Sequence, residues 1–454
     1  MKRRTTILFA LIVLMLASSR PAAAQNRYIV QTTGGLLSVL NLCNLLGCQV
    51  QGSLDGQIGK TYLVTSSGNI IANLVNGVVN LAESLLGIVS IEADHVLPLP
   101  QPSLSSVPYG LYDNSPVNYY GTVVWHGYAA QPATQIIRLQ DAQNGFRIGG
   151  TGIVALIDTG VDPNHPVLQP VLLQGYDFTR NQPGASEWLD VNGTPLANQG
   201  AQGQQPGYVQ QSTAAVLDQS TAAVLDGSPY VAFGHGTMTA GLVHLVAPNA
   251  KLLPLKAFSA NGTGYLSNIV SALYYAVKNH ANVVNMSFDL SSSSPSLQSA
   301  ISYVNKGGVV LVAAAGNEST SAKVYPAAMN GYVVGIGSTS DQDKRSSFSN
   351  YGSADVWIAA PGENVISTYP GGTYGSESGT SFSSPMVAGT VALMLSAKQS
   401  GFNQSQIANA LANAQALTPD LNHGRLNVYQ AVSAWLNGSS STSGSSSSCT
   451  LLCL

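Results

Sequence analysis

The spacing of apolar positions changes along the chain, and the changes mark its parts. Arg27–Thr32 reads as a strand, and Leu36 to Leu46 and Asn69 to Leu86 are apolar at helical spacing. This first segment runs through Ile91-Glu-Ala-Asp-His-Val96 into a Pro/Ser-rich stretch reaching about Pro108. It reads as a small α+β unit. From about residue 110 to 437 short β-branched runs alternate with helical patterns. Ile153–Ile157, Lys251–Leu255, Val283–Met286, Val309–Val312, Tyr332–Ile336 and Val356–Ala359 read as buried strands. Between them Leu266, Ile269, Val270, Leu273, Ala276 and Val277 fall on one helical face. Strand–helix alternation predicts an α/β fold: a mostly parallel, doubly wound sheet with helices on both faces.

Two stretches break the pattern. Residues 181–230 are rich in Gln, Gly, Ser and Pro, and QSTAAVLD occurs twice in tandem, at 211–218 and 219–226. One unit copied once is too short for a solenoid, so the stretch reads as a surface insertion. Asn437 to Ser448 is nearly all Ser, Thr and Gly, a linker composition, and ends in Cys449-Thr-Leu-Leu-Cys453.

The N-terminus sets the expected compartment. Lys2, Arg3 and Arg4 precede an apolar run from Ile7 to Ala17, and Ala22-Ala23-Ala24 follows as a small-residue cleavage pattern. This is the layout of a secretory signal over residues 1–24. The run is shorter than the roughly 20 apolar residues a bilayer requires, so no stable membrane insertion is expected. Arg3 and Arg4 also fit a twin-arginine route. The expected location is secreted, extracellular or at the cell surface.

Composition agrees with that picture. Charged residues make up 9% of the 454, far below the roughly 25% of an average domain, while 45% are hydrophobic. A large core is therefore available, and a mostly disordered chain is excluded. The net charge is −3 with no basic block beyond the first residues, which argues against nucleic acid as a partner. Four cysteines form two close pairs, Cys43/Cys48 and Cys449/Cys453. A secreted chain permits disulfides, but such short loops add modest stability. The CxxC spacing of redox and zinc sites is absent, so the cysteines are not expected to bind a metal.

Three motifs carry chemistry, in the order Asp, His, Ser. Asp158-Thr-Gly160 directly follows a predicted strand, where open α/β sheets place their sites. Gly234-His235-Gly-Thr-Met-Thr-Ala-Gly241 puts His235 at the start of a helical stretch. Ser378-Gly-Thr-Ser381-Phe-Ser-Ser-Pro385-Met-Val-Ala-Gly389 puts Ser381 at another helix start, where Pro385 is tolerated. Serine becomes a nucleophile when a base takes its proton. Histidine titrates near neutrality and serves as that base, and a carboxylate fixes its tautomer. The oxyanion then needs donors. A backbone N–H at the helix start is one, and Asn317, just past the strand in Val312-Ala-Ala-Ala-Gly316-Asn317, offers a second.

Each residue alone has a plainer reading: a turn-forming Asp, a structural His, a capping Ser, a loop Asn. Their joint context is what departs from chance. Aspartic peptidases need two such carboxylates, and no second Asp-Thr-Gly or Asp-Ser-Gly exists here. The Gly-x-Ser-x-Gly elbow of α/β-hydrolases is also missing. A catalytically silent scaffold on the same fold, and a Ser-rich surface adhesin, remain as readings of other classes.

Over about residues 120–437 the chain resembles the subtilisin-like serine peptidases, the subtilases. The resemblance implies Asp158, His235 and Ser381 as a catalytic triad and Asn317 as the oxyanion donor. It places Ser287, Phe288, Ala314, Ala315 and Gly316 beside the pocket for the residue before the cut bond. It makes Gly262-Thr-Gly264-Tyr265 the strand that pairs with substrate. Residues 25–100 resemble an inhibitory propeptide, 101–437 the peptidase domain, and 438–454 a tail. The implied protein is a secreted, monomeric endopeptidase made as a precursor. It would cut proteins and peptides, need no cofactor, and hold its own propeptide as inhibitor.

Several positions depart from the family pattern. Met238 stands where a second His is usual, Phe382-Ser383 where Met-Ala is usual, and Asp289 where a Gly is usual. The usual calcium loop is missing, since Leu245-Val-Ala-Pro248 follows the helix at once, and Val167 replaces that site's carboxylate. The small pocket walls leave room for a large apolar residue; Asp289 introduces a charge among them.

Overall fold

The computed structural model describes residues 26–70, 87–99, 108–191, 230–398 and 401–438. The expected signal, the tandem repeat, most of the second apolar run (71–86) and the Ser-rich tail lie outside the described residues. The chain divides into two compact units at His95/Val96.

The first unit is a four-stranded antiparallel sheet with one described helix. Strands β1 (Asn26–Thr32), β2 (Cys48–Ser53), β3 (Thr61–Ser66) and β4 (Ile88–Ala93) lie in the order β2-β3-β1-β4, with α1 (Gly35–Leu46) between β1 and β2. Tyr28, Val30, Val39, Leu42, Tyr62, Val64 and Ile88 close its core. Cys43 and Cys48 are joined by a disulfide across the end of α1.

The second unit begins with β5 (Val96–Pro98). The run Ile91–Val96, read above as the end of the small unit, is therefore split. β4 stops at Ala93, while Val96 pairs with Tyr265, Leu97 with Gly264 and Pro98 with Thr263. Pro98 fits because a strand with one neighbour can do without a donor.

The central sheet has eight strands. In chain order they are β6 (Ile153–Asp158), β7 (Tyr176–Asp177), β8 (Gln182–Pro183), β9 (Lys251–Lys256), then β11 (Val283–Met286), β12 (Val310–Ala314), β13 (Val334–Thr339) and β14 (Ile358–Pro361). The strand over Thr263–Tyr265 is β10, and among the described strands it pairs with β5 alone. The sheet order is β8-β7-β9-β6-β11-β12-β13-β14, parallel except for the β7/β8 pair. β6 lies between β9 and β11, so the winding reverses there. Ligands bind beyond the carboxyl ends of strands at such a reversal.

Helices cover both faces. α2 (His235–Val246) and α5 (Thr380–Ala397) pack on each other, and α5 lies across β6 and β11–β14. α3 (Leu266–Lys278) and α4 (Pro295–Lys306) pack together, against β6, β9 and β12. Every residue of α2, and of α5 from Thr380 to Leu395, is buried. Both helices are apolar nearly all round, as a fully enclosed helix must be. α6 (Gln404–Leu411) and α7 (Val428–Leu436) complete the unit, and the hairpin β15 (Val365–Tyr369)/β16 (Thr373–Glu377) leads into α5. Among the described residues no helix is long and apolar enough to cross a membrane.

Candidate active site

Asp158 is the last residue of β6 and is 1% exposed. Its Oδ1 accepts from the Thr159 N–H at 2.7 Å and faces His235 Nδ1 at 2.7 Å. Its Oδ2 accepts from Thr239 Oγ1 at 3.1 Å. These contacts fix the carboxylate, and the carboxylate holds the proton of the imidazole on Nδ1. His235 is the first residue of α2, and the Phe382 ring lies 5.2 Å away, centroid to centroid. Close backbone approach at this point needs glycine. A Cβ on Gly236 would sit 2.0 Å from the Gly160 carbonyl oxygen and 3.1 Å from Asp158 Oδ1.

Ser381 is the second residue of α5, where a backbone N–H has no intrahelical acceptor. Its Oγ donates to the Ser287 carbonyl at 3.3 Å, and Ser287 Oγ donates to the Ser381 carbonyl at 3.0 Å. His235 Nε2 has no hydrogen-bond partner among the described residues. Such bonds are often long without substrate and tighten in the complex.

Asn317 lies three residues beyond β12. Its Oδ1 accepts from the Thr380 N–H and from Thr380 Oγ1, both at 2.9 Å. The Gly316 N–H also donates to Thr380 Oγ1, at 3.1 Å. With its oxygen held, the carboxamide presents Nδ2, the donor end, beside Gly379. Ala314 and Ala315 are fully buried. Phe288 is also fully buried, with its ring 5.5 Å from Phe258, so it supports the wall from behind. Asp289 Oδ2 is enclosed without a hydrogen-bond partner among the described residues. Burial first, then Glu318 and Asp355, push its carboxyl up to about 7. Gly264 and Tyr265 lie on β10, and Gly262 stands just before it, where its carbonyl accepts from the Leu99 N–H at 2.6 Å.

Four residues of this region escaped the sequence reading: Glu187, Lys256, Thr159 and Thr239. Glu187 belongs to a short turn, Glu187–Val191, inside the stretch read as a surface insertion. It is fully buried, so at least this part of the insertion is interior. Its Oε2 accepts from the Gly234 N–H at 2.6 Å and its Oε1 from the Thr237 N–H at 2.8 Å. Burial pushes its carboxyl up to about 8, against the pull of Lys256. The Lys256 ammonium is also fully buried and donates to the Thr159 carbonyl (2.6 Å), Asp190 Oδ2 (2.6 Å) and the Phe258 carbonyl (2.8 Å). The signal for this network is a lysine in an apolar strand run together with acids in a charge-poor insertion. Among the described residues no group of three or more His, Cys, Asp or Glu could hold a metal ion.

Comparison with known proteins places this arrangement. The subtilase family model matches residues 149–433. A thermophilic serine proteinase of Bacillus sp. (strain AK1) is 34% identical over 280 residues, 62% of this chain and 61% of that relative's length. Thermitase of Thermoactinomyces vulgaris is 31% identical over 295 residues, 63% of this chain and 89% of the relative. Subtilisin BL of Lederbergia lenta is 40% identical over 189 residues, 40% of this chain and 69% of the relative. The crystal structure of a lanthipeptide protease shares the fold, with a TM-score of 0.52 and 23% identity over 67% of this chain and 94% of that one. The family match takes in the whole central sheet from β6 to β14 and the helices that begin at His235 and Thr380, and the chain belongs to the subtilase family.

Proposed function

We propose that the protein is a secreted serine endopeptidase that cuts peptide bonds through an acyl-enzyme on Ser381. The observation that carries this reading is the buried 2.7 Å contact between Asp158 and His235 Nδ1. That contact leaves Nε2 as the basic nitrogen, on a helix packed against the one that carries Ser381. His235 Nε2 takes the Ser381 proton as Oγ attacks the carbonyl carbon. The Asp158 carboxylate stabilises the imidazolium. The oxyanion is met by the Ser381 N–H and Asn317 Nδ2. The imidazolium then protonates the leaving amine, and water, deprotonated by His235, hydrolyses the ester.

The same reading makes the protein a precursor that processes itself. Val96–Pro98 runs antiparallel to β10 as an extended substrate would, held on as far as Leu99. The bond to be cut then lies beyond Leu99, between there and about Pro108. A serine-directed phosphonate should label wild-type protein at Ser381. Ser381→Ala should lose nearly all peptidase activity and keep an N-terminus near Gln25, while wild type begins beyond Leu99. Normal maturation of purified Ser381→Ala with no other peptidase present would rule out self-processing; wild-type turnover in it would rule out the nucleophile.

A further inference from the structure

The N-terminus of α2 is held in an unusual way. The first N–H groups of a helix lack intrahelical partners and carry its positive end. They are ordinarily satisfied by a Ser, Thr, Asp or Asn at the N-cap. Here the N-cap is Gly234, which has no side chain to offer. The acceptors come from far along the chain. Glu187 lies 47 residues before Gly234 and 50 before Thr237, and its two carboxylate oxygens take one N–H from each. Those two N–H groups bracket His235.

The clamp extends to the residue beside Asp158. Thr159 Oγ1 accepts from the Gly236 N–H at 2.9 Å. Its single proton is shared between Glu187 Oε1 and Asp158 Oδ1, each at 3.3 Å. Lys256 Nζ holds the Thr159 carbonyl from the other side at 2.6 Å. The backbone on both sides of His235 is thus tied, through one carboxylate and one hydroxyl, to the strand end that carries Asp158. The partners of the Glu187 oxygens among the described residues are N–H and O–H groups, so the carboxylate acts as acceptor throughout. The charged or titratable groups around it are Asp158, His235 and Lys256, with Asp190 on the far side of Lys256.

We propose that Glu187 is a positioning residue: it fixes the backbone of His235 against Asp158 and so aims Nε2 at Ser381. This rests on reading Asp158, His235 and Ser381 as the catalytic set. A cap that served stability alone would change how much protein folds, and leave each folded molecule as fast as before. A positioning residue changes the rate per folded site, because a displacement of about 1 Å can cost 100-fold.

The test uses the full-length chain, matured, with sites counted by phosphonate titration. Glu187→Gln keeps the shape but turns an NH2 toward a backbone N–H. Thr159→Val removes the shared hydroxyl and leaves Glu187 in place. In Glu187→Gln, kcat per titrated site should fall about 10- to 100-fold with KM within about twofold, and the downfield NMR signal of the His235 Nδ1 proton should shift. Thr159→Val should move both readouts the same way by less, and Glu187→Asp should recover part of what Glu187→Ala loses. The proposal is overturned if Glu187→Gln and Thr159→Val keep wild-type kcat per site, or if the whole loss lies in the titratable fraction or in KM. Should Glu187→Gln not fold, Thr159→Val decides. If wild type is neither labelled at Ser381 nor active, the catalytic reading has failed instead, and the two failures are told apart.

Discussion

Asn317 is held by its oxygen to Thr380, the residue before Ser381, and this sets the expectation for its replacement. Asn317→Ala should lower kcat about 100- to 1,000-fold, or about 2.7–4 kcal/mol, since on the proposed reading one oxyanion donor is removed. KM should change little, because the bond strengthens mainly in the transition state. Steady-state kinetics on a chromogenic peptide check this, and a pure KM effect would remove Asn317 from the oxyanion role. Asp158, His235, Ser381 and Asn317 were legible because each sits in a short contiguous motif at the end of a strand or the start of a helix. Glu187 was not. Its partners lie tens of residues away, and nothing local distinguishes it from a solvated acid. Phe288 shows the same limit from the other side. Its place after Ser287 could be read, while the direction of its ring, into the core beside Phe258, depends on packing that no motif encodes.

Among the elements, the strands were legible as runs and less so in their ends. β13 and β14 begin two residues later than the apolar pattern suggests, at Val334 and Ile358. Strands buried on both faces show no alternation, so their ends are set by neighbours in the sheet. The two helices at the site depend on each other more strictly. A Cβ on Gly389 of α5 would lie 2.7 Å from Val246 Cβ and 3.1 Å from the Val243 carbonyl oxygen of α2. Gly389→Ala should therefore wedge apart the helices that begin at His235 and Thr380. Overpacking of this kind costs about 1–3 kcal/mol. In the Ser381→Ala background, used to remove the proposed self-digestion, the denaturant midpoint should fall with little change in slope. A midpoint at or above that of the parent would mean the helices can yield without cost.

Across the whole molecule, buried acids set a pH dependence. Burial raises the carboxyls of Asp355 to about 6 and Asp289 to about 7, and lifts Glu377 well above its usual range. Between about pH 4 and those values the folded protein holds protons that the unfolded chain has released, so stability falls as pH rises. His244, held down to about 3 by burial, and His165, also lowered, act in the opposite sense, but only below about pH 6.5. From about pH 6.5 upward Asp289 and Glu377 stand alone. Each group still protonated only in the folded state then costs about 1.4 kcal/mol per pH unit. The melting temperature of the Ser381→Ala protein should decline over that range, and Glu377→Gln should make the decline shallower; a rising melting temperature would contradict the burial of these groups. One last consequence comes from β10, which has no described strand neighbour except Val96–Pro98. With that segment released, as the proposed self-cleavage would have it, β10 offers an edge with which another extended segment can pair. Such a surface recognises a conformation before it recognises a side chain. Helices and well-paired sheets withhold their peptide groups from it, whereas unfolded stretches and long loops do not. On the proposed reading the matured protein should therefore degrade a heat-denatured protein much faster than the same protein in its native state, with equal rates on both forms counting against this selection by shape.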